Sequence, residues 1–437
     1  MKTIISLIIC GVLILSMAGC AKQEQPAAET AAETAAEIKA EPVTEAAEDQ
    51  SAEPETEPAK PESQVLAKIP EKIELIHPVT MTGYQGAQDS ENRILYEIRW
   101  GSAALEEDEA ERFPALDENL KKAYEESKKT ILDRRDQTVL TDPEIVNREG
   151  FEGFQISEEP QIMRCDTAFT SVKQTIFEAT GGAHPSTMIL GYTYSTQDGS
   201  EVKLADIFTD ENAVNDVLYE RLKTDYKDVD FFDLANDIKR YRFTPGTDEY
   251  SYDWILGYDG VTFIFNQYSL APYAWGIQTV TLGFKDYPEL YFDGLDCYHG
   301  DFIKPLGTFV KEYYDGKTLE ITYDSSQGYM IDTLTIDIDG KKYDFEVSTY
   351  SADPYLVRCD GADFIYVYMS HDDDRRSCAM YEIREDMVLP AENMHGGIPS
   401  INEAVEVERP FEGYNCFQRL NINYVPVDPL DIKLTDR

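Results

Sequence analysis

The sequence predicts an α+β fold, with an antiparallel sheet and two or three helices, followed by a β-rich C-terminal domain. Alternating apolar and polar residues from residue 73 onward predict strands, and amphipathic segments between residues 114 and 243 predict helices. Residues 296–437 contain many short strand-like runs and no helical period. We therefore expect an α+β domain over residues 67–295 and a β-rich domain over residues 296–437.

The helices are predicted from apolar residues that recur every three or four positions. Residues 114–132 carry apolar side chains on one face and lysine and glutamate on the other. A second helix is expected to begin near Glu211, because Thr209 or Asp210 can cap its first turn. Residues 230–243 show the same spacing and predict a third helix.

Strands are predicted at residues 93–100, 161–180 and 187–195, where β-branched and aromatic residues alternate with polar ones. Two further strands, residues 261–268 and 277–284, flank a segment with the sequence YSLAPYAWG. The expected first domain is thus a sheet with its helices set between strands.

The β-rich domain contains a segment that resembles a calcium-binding loop. In TIDIDGKKYDFE, residues 335–346, acidic residues and a glycine occupy four of the loop's positions, but Thr335 stands where the first aspartate is needed. Asp339-Gly340 is a favoured hairpin turn between two alternating runs. We predict a hairpin there, and the chain is expected to bind no metal and no other cofactor. The domain is either a small sheet domain or a set of propeller-like blades.

The amino terminus predicts a lipoprotein signal. Residues 1–20 contain one lysine, about a dozen apolar residues and the ending Met-Ala-Gly-Cys, which is typical of a bacterial lipobox. Cys20 is then the site of lipid attachment, and secretory cleavage beside an incidental cysteine is the alternative. Residues 21–66 are rich in Ala, Glu, Pro and Thr and predict a disordered acidic tether. We expect the protein to be palmitoylated and held at the extracytoplasmic face of the bacterial cell membrane.

The chain is strongly acidic, with a formal net charge of −44. The signal contributes one positive charge and the tether nine negative charges, so the body from residue 67 onward carries about −36. A surface of this charge repels phosphate backbones, which excludes nucleic acid as a partner. It attracts cations or a basic protein, and solubility alone is the simpler explanation.

The cysteines and histidines do not predict a metal or redox site. Beyond Cys10 and Cys20, the cysteines are too few and too widely spaced for a zinc or dithiol motif; they are Cys165, Cys297, Cys359, Cys378 and Cys416. A three-strand meander would keep Cys359 and Cys378 roughly 20 Å apart, so no bridge between them is predicted. The sequence also lacks a nucleophile elbow, a P-loop and a dinucleotide-binding glycine motif. No catalytic residues are predicted, although a glycosidase-like pair of carboxylates stays open.

The segment YSLAPYAWG, residues 268–276, raises two alternatives. Pro272 cannot donate a hydrogen bond to a sheet, so the chain must leave the sheet there. Tyr273 and Trp275 then either cover the end of the core or form an exposed aromatic surface of the kind enriched at binding sites. His184, after two glycines, is interpreted as part of a tight turn, with its ring capping the backbone or exposed.

Several motifs, in order, resemble a bacterial extracytoplasmic domain family of unknown general function. They are Gly181-Gly182-Ala183-His184, the Asp-Gly turn at residues 198–199, Leu204 to Phe208, and Tyr268 to Gly276. The family is shared by RsiV-type lysozyme-sensing anti-sigma factors and by the non-catalytic region of PdaC-type peptidoglycan deacetylases. The resemblance covers about residues 85–292.

The resemblance implies an α+β module that works at the cell wall and, in one member, binds lysozyme. The sensor's transmembrane helix and the deacetylase's catalytic domain are both absent from this sequence. We therefore expect a non-catalytic binding module for a cationic protein such as lysozyme or for a cell-wall component, with Pro272, Tyr273, Trp275 and His184 as contacts. A cell-wall glycan hydrolase, or a spacer that presents the β-rich domain, are the alternatives.

Overall fold

The structure, a computed structural model, describes most of the chain from residue 63 to residue 390. The described residues are 63, 65–76, 78–88, 93–139, 153–180, 184–325, 330–359, 361–370, 376–384 and 387–390. The described residues belong to one compact unit. The predicted signal, its Cys20 and the tether up to residue 62 lie outside the described residues, and the domain boundary near residue 295 stays a prediction.

Five α-helices and many strands make up the described residues, in agreement with a mixed α and β fold. The helices are Glu107–Arg112 (α1), Pro114–Val139 (α2), Leu204–Ile207 (α3), Glu211–Asp225 (α4) and Leu234–Ile238 (α5). The predicted helices at residues 114–132 and from Glu211 are confirmed as α2 and α4. Asp210 caps α4, because its carboxylate accepts hydrogen bonds from the backbone N–H groups of Asn212 (2.8 Å) and Ala213 (3.3 Å).

The helix predicted over residues 230–243 is wrong in length, since α5 has only five residues. Tertiary contacts override its helical spacing at both ends. Before α5, the N–H of Phe232 donates to the carbonyl of Leu270. After it, Tyr241–Arg242 (β6) pair in parallel with Tyr250–Ser251 (β7), which requires extended backbone.

The first sheet has five strands, paired in chain order. They are Pro78–Gln88 (β1), Ile94–Leu105 (β2), Phe154–Cys165 (β3), Phe169–Ala179 (β4) and Ser186–Ser195 (β5). The prediction of a wholly antiparallel sheet is wrong at one pair, because β2 and β3 run parallel. The long helix α2 lies between them in sequence and returns the chain to the starting end of β2. Its Leu116 and Leu120 are buried in one core with Ile162 and Val172.

The second sheet has three antiparallel strands in the order β10-β9-β8. They are Asp253–Leu256 (β8), Gly260–Phe265 (β9) and Gln278–Gly283 (β10), so the strands predicted on either side of YSLAPYAWG are confirmed. Val214, Leu218 and Leu222 of α4 share a core with Phe263 and Phe265 of β9. Strand β5 of the first sheet also lies against β8.

The part of the β-rich region that the structure describes contains two antiparallel sheets. One holds Lys311–Tyr314 (β12), Lys317–Asp324 (β13), Ile331–Ile338 (β14) and Lys341–Thr349 (β15). The other, in the order β11-β16-β17-β18-β19, holds Phe302–Pro305 (β11), Ser351–Cys359 (β16), Ala362–Ser370 (β17), Arg376–Arg384 (β18) and Met387–Pro390 (β19). Ile321 and Ile336 of one sheet share a core with Ile365 and Val367 of the other. This shared core fits the predicted small sheet domain rather than propeller-like blades.

The predicted hairpin at Asp339-Gly340 is confirmed. Both residues have positive φ, 51° and 82°, as a two-residue hairpin turn requires. The predicted three-strand meander around the two cysteines is present: Cys359 pairs with Ala362 and Cys378 with Tyr368, six residues apart along β17.

Candidate aromatic binding site

The connection between β9 and β10 leaves the sheet, as predicted from Pro272. Pro272 precedes a single 3-10 turn, Tyr273–Trp275, which ends at Gly276 with a φ of 67°. The side-chain amide of Gln278 donates to the carbonyls of Trp275 (3.0 Å) and Gly276 (2.8 Å). These bonds hold the turn in place at the start of β10.

The aromatic side chains of this connection do not simply cover the core. Leu270 and Ala271 are buried and fill that role, whereas Trp275 is 42% exposed and Tyr268 is 58% exposed. Pro272 and Tyr273 are half-buried. The segment was expected either to cover the end of the core or to form an exposed aromatic surface, and Trp275 fits the second alternative.

His184 lies against this connection although it is almost 90 residues away in sequence. Its ring stacks on Tyr273, with centroids 3.8 Å apart and an interplanar angle of 22°. The Tyr273 hydroxyl donates a 2.8 Å hydrogen bond to the carbonyl of Pro185. The structure thus brings His184 and Tyr273 into contact, with Pro272 and Trp275 on the same turn. We call His184, Tyr268, Pro272, Tyr273 and Trp275 the aromatic surface.

Tyr268 belongs to this surface but was not predicted from the sequence. Its ring centroid lies 5.8 Å from that of Tyr273, and its backbone has a φ of 66°. A bulky side chain in the left-handed region costs about 1 kcal/mol, and such strain concentrates at functional sites. In the sequence, Tyr268 ends an alternating run and begins the YSLAPYAWG segment, but the pattern does not distinguish it as a contact.

Acidic groups and a further exposed aromatic lie beside the aromatic surface. Phe232 is 57% exposed, and its backbone N–H donates to the carbonyl of Leu270 in the same connection. Asp230 and Asp233 flank it and are exposed. The surroundings of the aromatic surface therefore share the acidic character of the body.

A partly buried carboxylate is hydrogen-bonded to the connection that carries the aromatic surface. Asp253 on β8 accepts a 2.9 Å hydrogen bond from the side-chain amide of Asn266, which follows β9. Burial raises the pKa of Asp253 to about 6, although the bond from Asn266 acts in the opposite direction. Ionisation of Asp253 is therefore less favourable in the folded protein than in the unfolded chain, and it takes place near pH 6 instead of near pH 4.

Replacement of this carboxylate is expected to change how stability depends on pH. Because the folded-state pKa of Asp253 exceeds its unfolded value, its stabilising contribution is complete below about pH 4 and is lost as the pH rises through about 6. Asp253→Asn should therefore have the same free energy of unfolding as the wild type near pH 4. At pH 7.5 it should raise the free energy of unfolding by about 1–2 kcal/mol, a value reduced for the partial exposure of the group. Urea unfolding at both pH values measures this, and a difference independent of pH would contradict it.

The described residues hold no cluster of three or more His, Cys, Asp or Glu side chains arranged to bind a metal. Cys165 and Cys297 are free thiols. Within the described ranges, none of the helices combines the length and the apolar character needed to cross a bilayer.

Part of the chain is similar to a known protein family. Residues 205–285 match the sequence profile of a family described as a protein of unknown function, DUF3298. This segment extends from α3 to the end of β10 and includes Tyr268, Pro272, Tyr273 and Trp275. No curated protein matches the chain.

Two solved structures of the same family are similar to this chain. A DUF3298 family member from Bacteroides fragilis is 19% identical, with 50% of this chain and 94% of that chain covered and a TM-score of 0.34. A DUF3298 family protein from Pseudomonas aeruginosa is 17% identical, with coverages of 52% and 97% and a TM-score of 0.33. The relation to RsiV-type and PdaC-type proteins stays a prediction.

Proposed function

We propose that this protein is a lipoprotein held at the outer face of the bacterial membrane by a lipid on Cys20, and that its aromatic surface binds a cationic protein such as lysozyme without catalysing a reaction. The observation that carries this proposal is the aromatic surface itself. It is assembled from two distant segments, and it keeps Trp275 and Tyr268 exposed at the cost of a strained backbone at Tyr268.

Charge supports a cationic partner. The body carries about −36, and exposed aspartates lie next to Phe232 beside the aromatic surface. Aromatic faces attract guanidinium and ammonium groups, and a rim of like charge steers an oppositely charged partner to the surface. A neutral wall component could contact the same rings but would not be attracted by the negative charge. The affinity for a cationic protein should therefore fall as salt is added, whereas the affinity for a neutral wall component should not.

The test is a titration of the purified mature chain with lysozyme at low ionic strength, where attraction between charges is strongest. Trp275→Ala is expected to weaken binding at least tenfold, because exposed aromatic anchors at interface centres contribute about 2 kcal/mol or more. Tyr84→Ala is the matched control, since Tyr84 is also exposed (57%) but lies on β1 and bonds to Glu97.

The outcomes separate the candidate functions. If the wild type does not bind lysozyme at low salt, lysozyme is rejected as the partner. If cytochrome c, another basic protein, binds with the same affinity, the interaction depends on net charge alone and is not specific for lysozyme. Retention of isolated wall fragments by the wild type but not by Trp275→Ala would identify a wall component instead. Release of sugar ends from such fragments would identify a hydrolase.

A further inference from the structure

Two side-chain amides join the separate halves of the aromatic surface. The Asn266 Oδ1 atom accepts a 2.7 Å hydrogen bond from the backbone N–H of Ile189, and its Nδ2 atom donates to the carbonyl of the same residue at 2.9 Å. Gln267 Oε1 accepts a 3.2 Å bond from the N–H of Thr187. Asn266 thus makes both of the hydrogen bonds that a residue in a neighbouring strand would make with Ile189.

These bonds complete an edge that is open at Ile189. Strand β5 is the last strand of the first sheet: one of its edges pairs with β4, and on the other edge an isolated bridge joins Tyr194 to Glu201 near the end of the strand. The backbone groups of Ile189 that point away from β4 find their partners on Asn266. Loss of such a partner leaves a polar group unsatisfied at a partly buried position, which destabilises the attachment of β5 to Asn266.

Asp253 fixes the orientation of the Asn266 amide. The Nδ2 atom of Asn266 donates to both the Ile189 carbonyl and Asp253 Oδ2, each at 2.9 Å. A reversed amide would set its oxygen against these two acceptors. Besides its bond with Asn266, Asp253 interacts electrostatically with Tyr192 on β5 and Tyr241 on β6.

We propose that Asn266, oriented by Asp253, is a positioning residue for the aromatic surface, and we call this arrangement the amide clamp. It fixes the start of β5 at Ile189, three residues from Ser186, and so places His184 and Pro185 under the ring and hydroxyl of Tyr273. The role in binding rests on the proposed function, whereas the positioning of His184 does not.

The test compares Asn266→Ala with the wild type in three measurements on the full mature chain. First, the His184 ring protons should lose the upfield NMR shift that stacking on Tyr273 produces. Second, hydrogen exchange of the Ile189 amide should accelerate at least tenfold. Third, lysozyme affinity should fall about tenfold, because a competent arrangement populated one time in ten raises the apparent Kd by that factor.

Two variants guard against a general loss of structure. Asn266→Asp keeps the acceptor for the Ile189 N–H but sets an oxygen against the Ile189 carbonyl and Asp253, so it should behave like Asn266→Ala. Asn119→Ala is the matched control, since it removes one 2.7 Å bond to the Gly199 carbonyl away from the aromatic surface. It should leave all three measurements unchanged.

The outcomes keep the two proposals distinct. A normal His184 shift and normal Ile189 exchange in Asn266→Ala would overturn the amide clamp, whatever happens to affinity. If the wild type fails to bind lysozyme, the proposed function is wrong. The His184 shift and the Ile189 exchange rate in Asn266→Ala still test the amide clamp in that case. An altered shift with unchanged affinity would overturn the role of the clamp in binding.

Discussion

Asp166→Ala is expected to lower the free energy of unfolding by about 3–5 kcal/mol, because it would leave a buried guanidinium without its counter-charge. Asp166 and Arg164 are almost fully buried, and Arg164 Nε donates to Asp166 Oδ2 at 2.7 Å. The second carboxylate oxygen accepts from the N–H groups of Ala168 (2.8 Å) and Phe169 (2.9 Å), which form the turn between β3 and β4. One substitution therefore breaks an ion pair and a turn together.

Thermal or urea unfolding measures this effect, with Asp228→Ala as the exposed control that should change stability by less than about 0.5 kcal/mol. The double variant Arg164→Met with Asp166→Leu should recover only part of the loss, since it removes both charges from the interior but leaves the N–H groups of Ala168 and Phe169 without their acceptor. A small effect of Asp166→Ala would show that Arg164 reaches solvent or another acceptor. Its bonds to the carbonyl of Gly257, at 3.1 Å, and to the sulfur of Cys297, at 3.4 Å, would then be enough to stabilise the buried guanidinium.

Gly191→Ala is expected to destabilise the fold by about 3 kcal/mol or more, because β5 has no room for a side chain there. A Cβ atom at this position would lie 1.7 Å from the carbonyl oxygen of Trp254 on β8 and 2.6 Å from its carbonyl carbon. These are backbone atoms, so relief requires β5 and β8 to separate. The same separation would pull Ile189 from Asn266 and weaken the aromatic surface.

Gly246→Ala provides the control for this prediction. A Cβ atom there would approach only the side-chain oxygen of Glu249, at 3.2 Å, which can rotate away. We expect a change below about 0.5 kcal/mol for this variant. If Gly191→Ala unfolds at the same denaturant concentration as Gly246→Ala, the close contact between β5 and β8 is incorrect.

Local sequence patterns predict the helices and turns that are determined by interactions among their own residues. The cap at Asp210, the amphipathic face of α2 and the turn at Asp339-Gly340 each follow from short-range chemistry, and each is present in the structure. The parallel pairing of β2 with β3 is set by the return path of a helix between them, which alternation within a strand does not record. The short α5 is set by contacts with residues far along the chain.

The candidate site shows the same division. Pro272 predicts that the chain leaves the sheet, and the aromatic residues around it indicate a candidate binding segment. The contact between His184 and Tyr273 could not be derived from spacing, since it depends on the register of β5 against the end of β9. Asn266 and Gln267 carry no sequence signal, because their role is to complete the backbone of another strand.

Hydrogen exchange of the mature chain, with and without saturating lysozyme, tests most directly whether the aromatic surface is the binding site. Exchange should slow at residues 184–189 and 268–278, and it should stay unchanged in the hairpin of β14 and β15 (residues 331–349). Slowing confined to that hairpin or to other parts of the chain, or no slowing under conditions where lysozyme is bound, would contradict the proposed binding site.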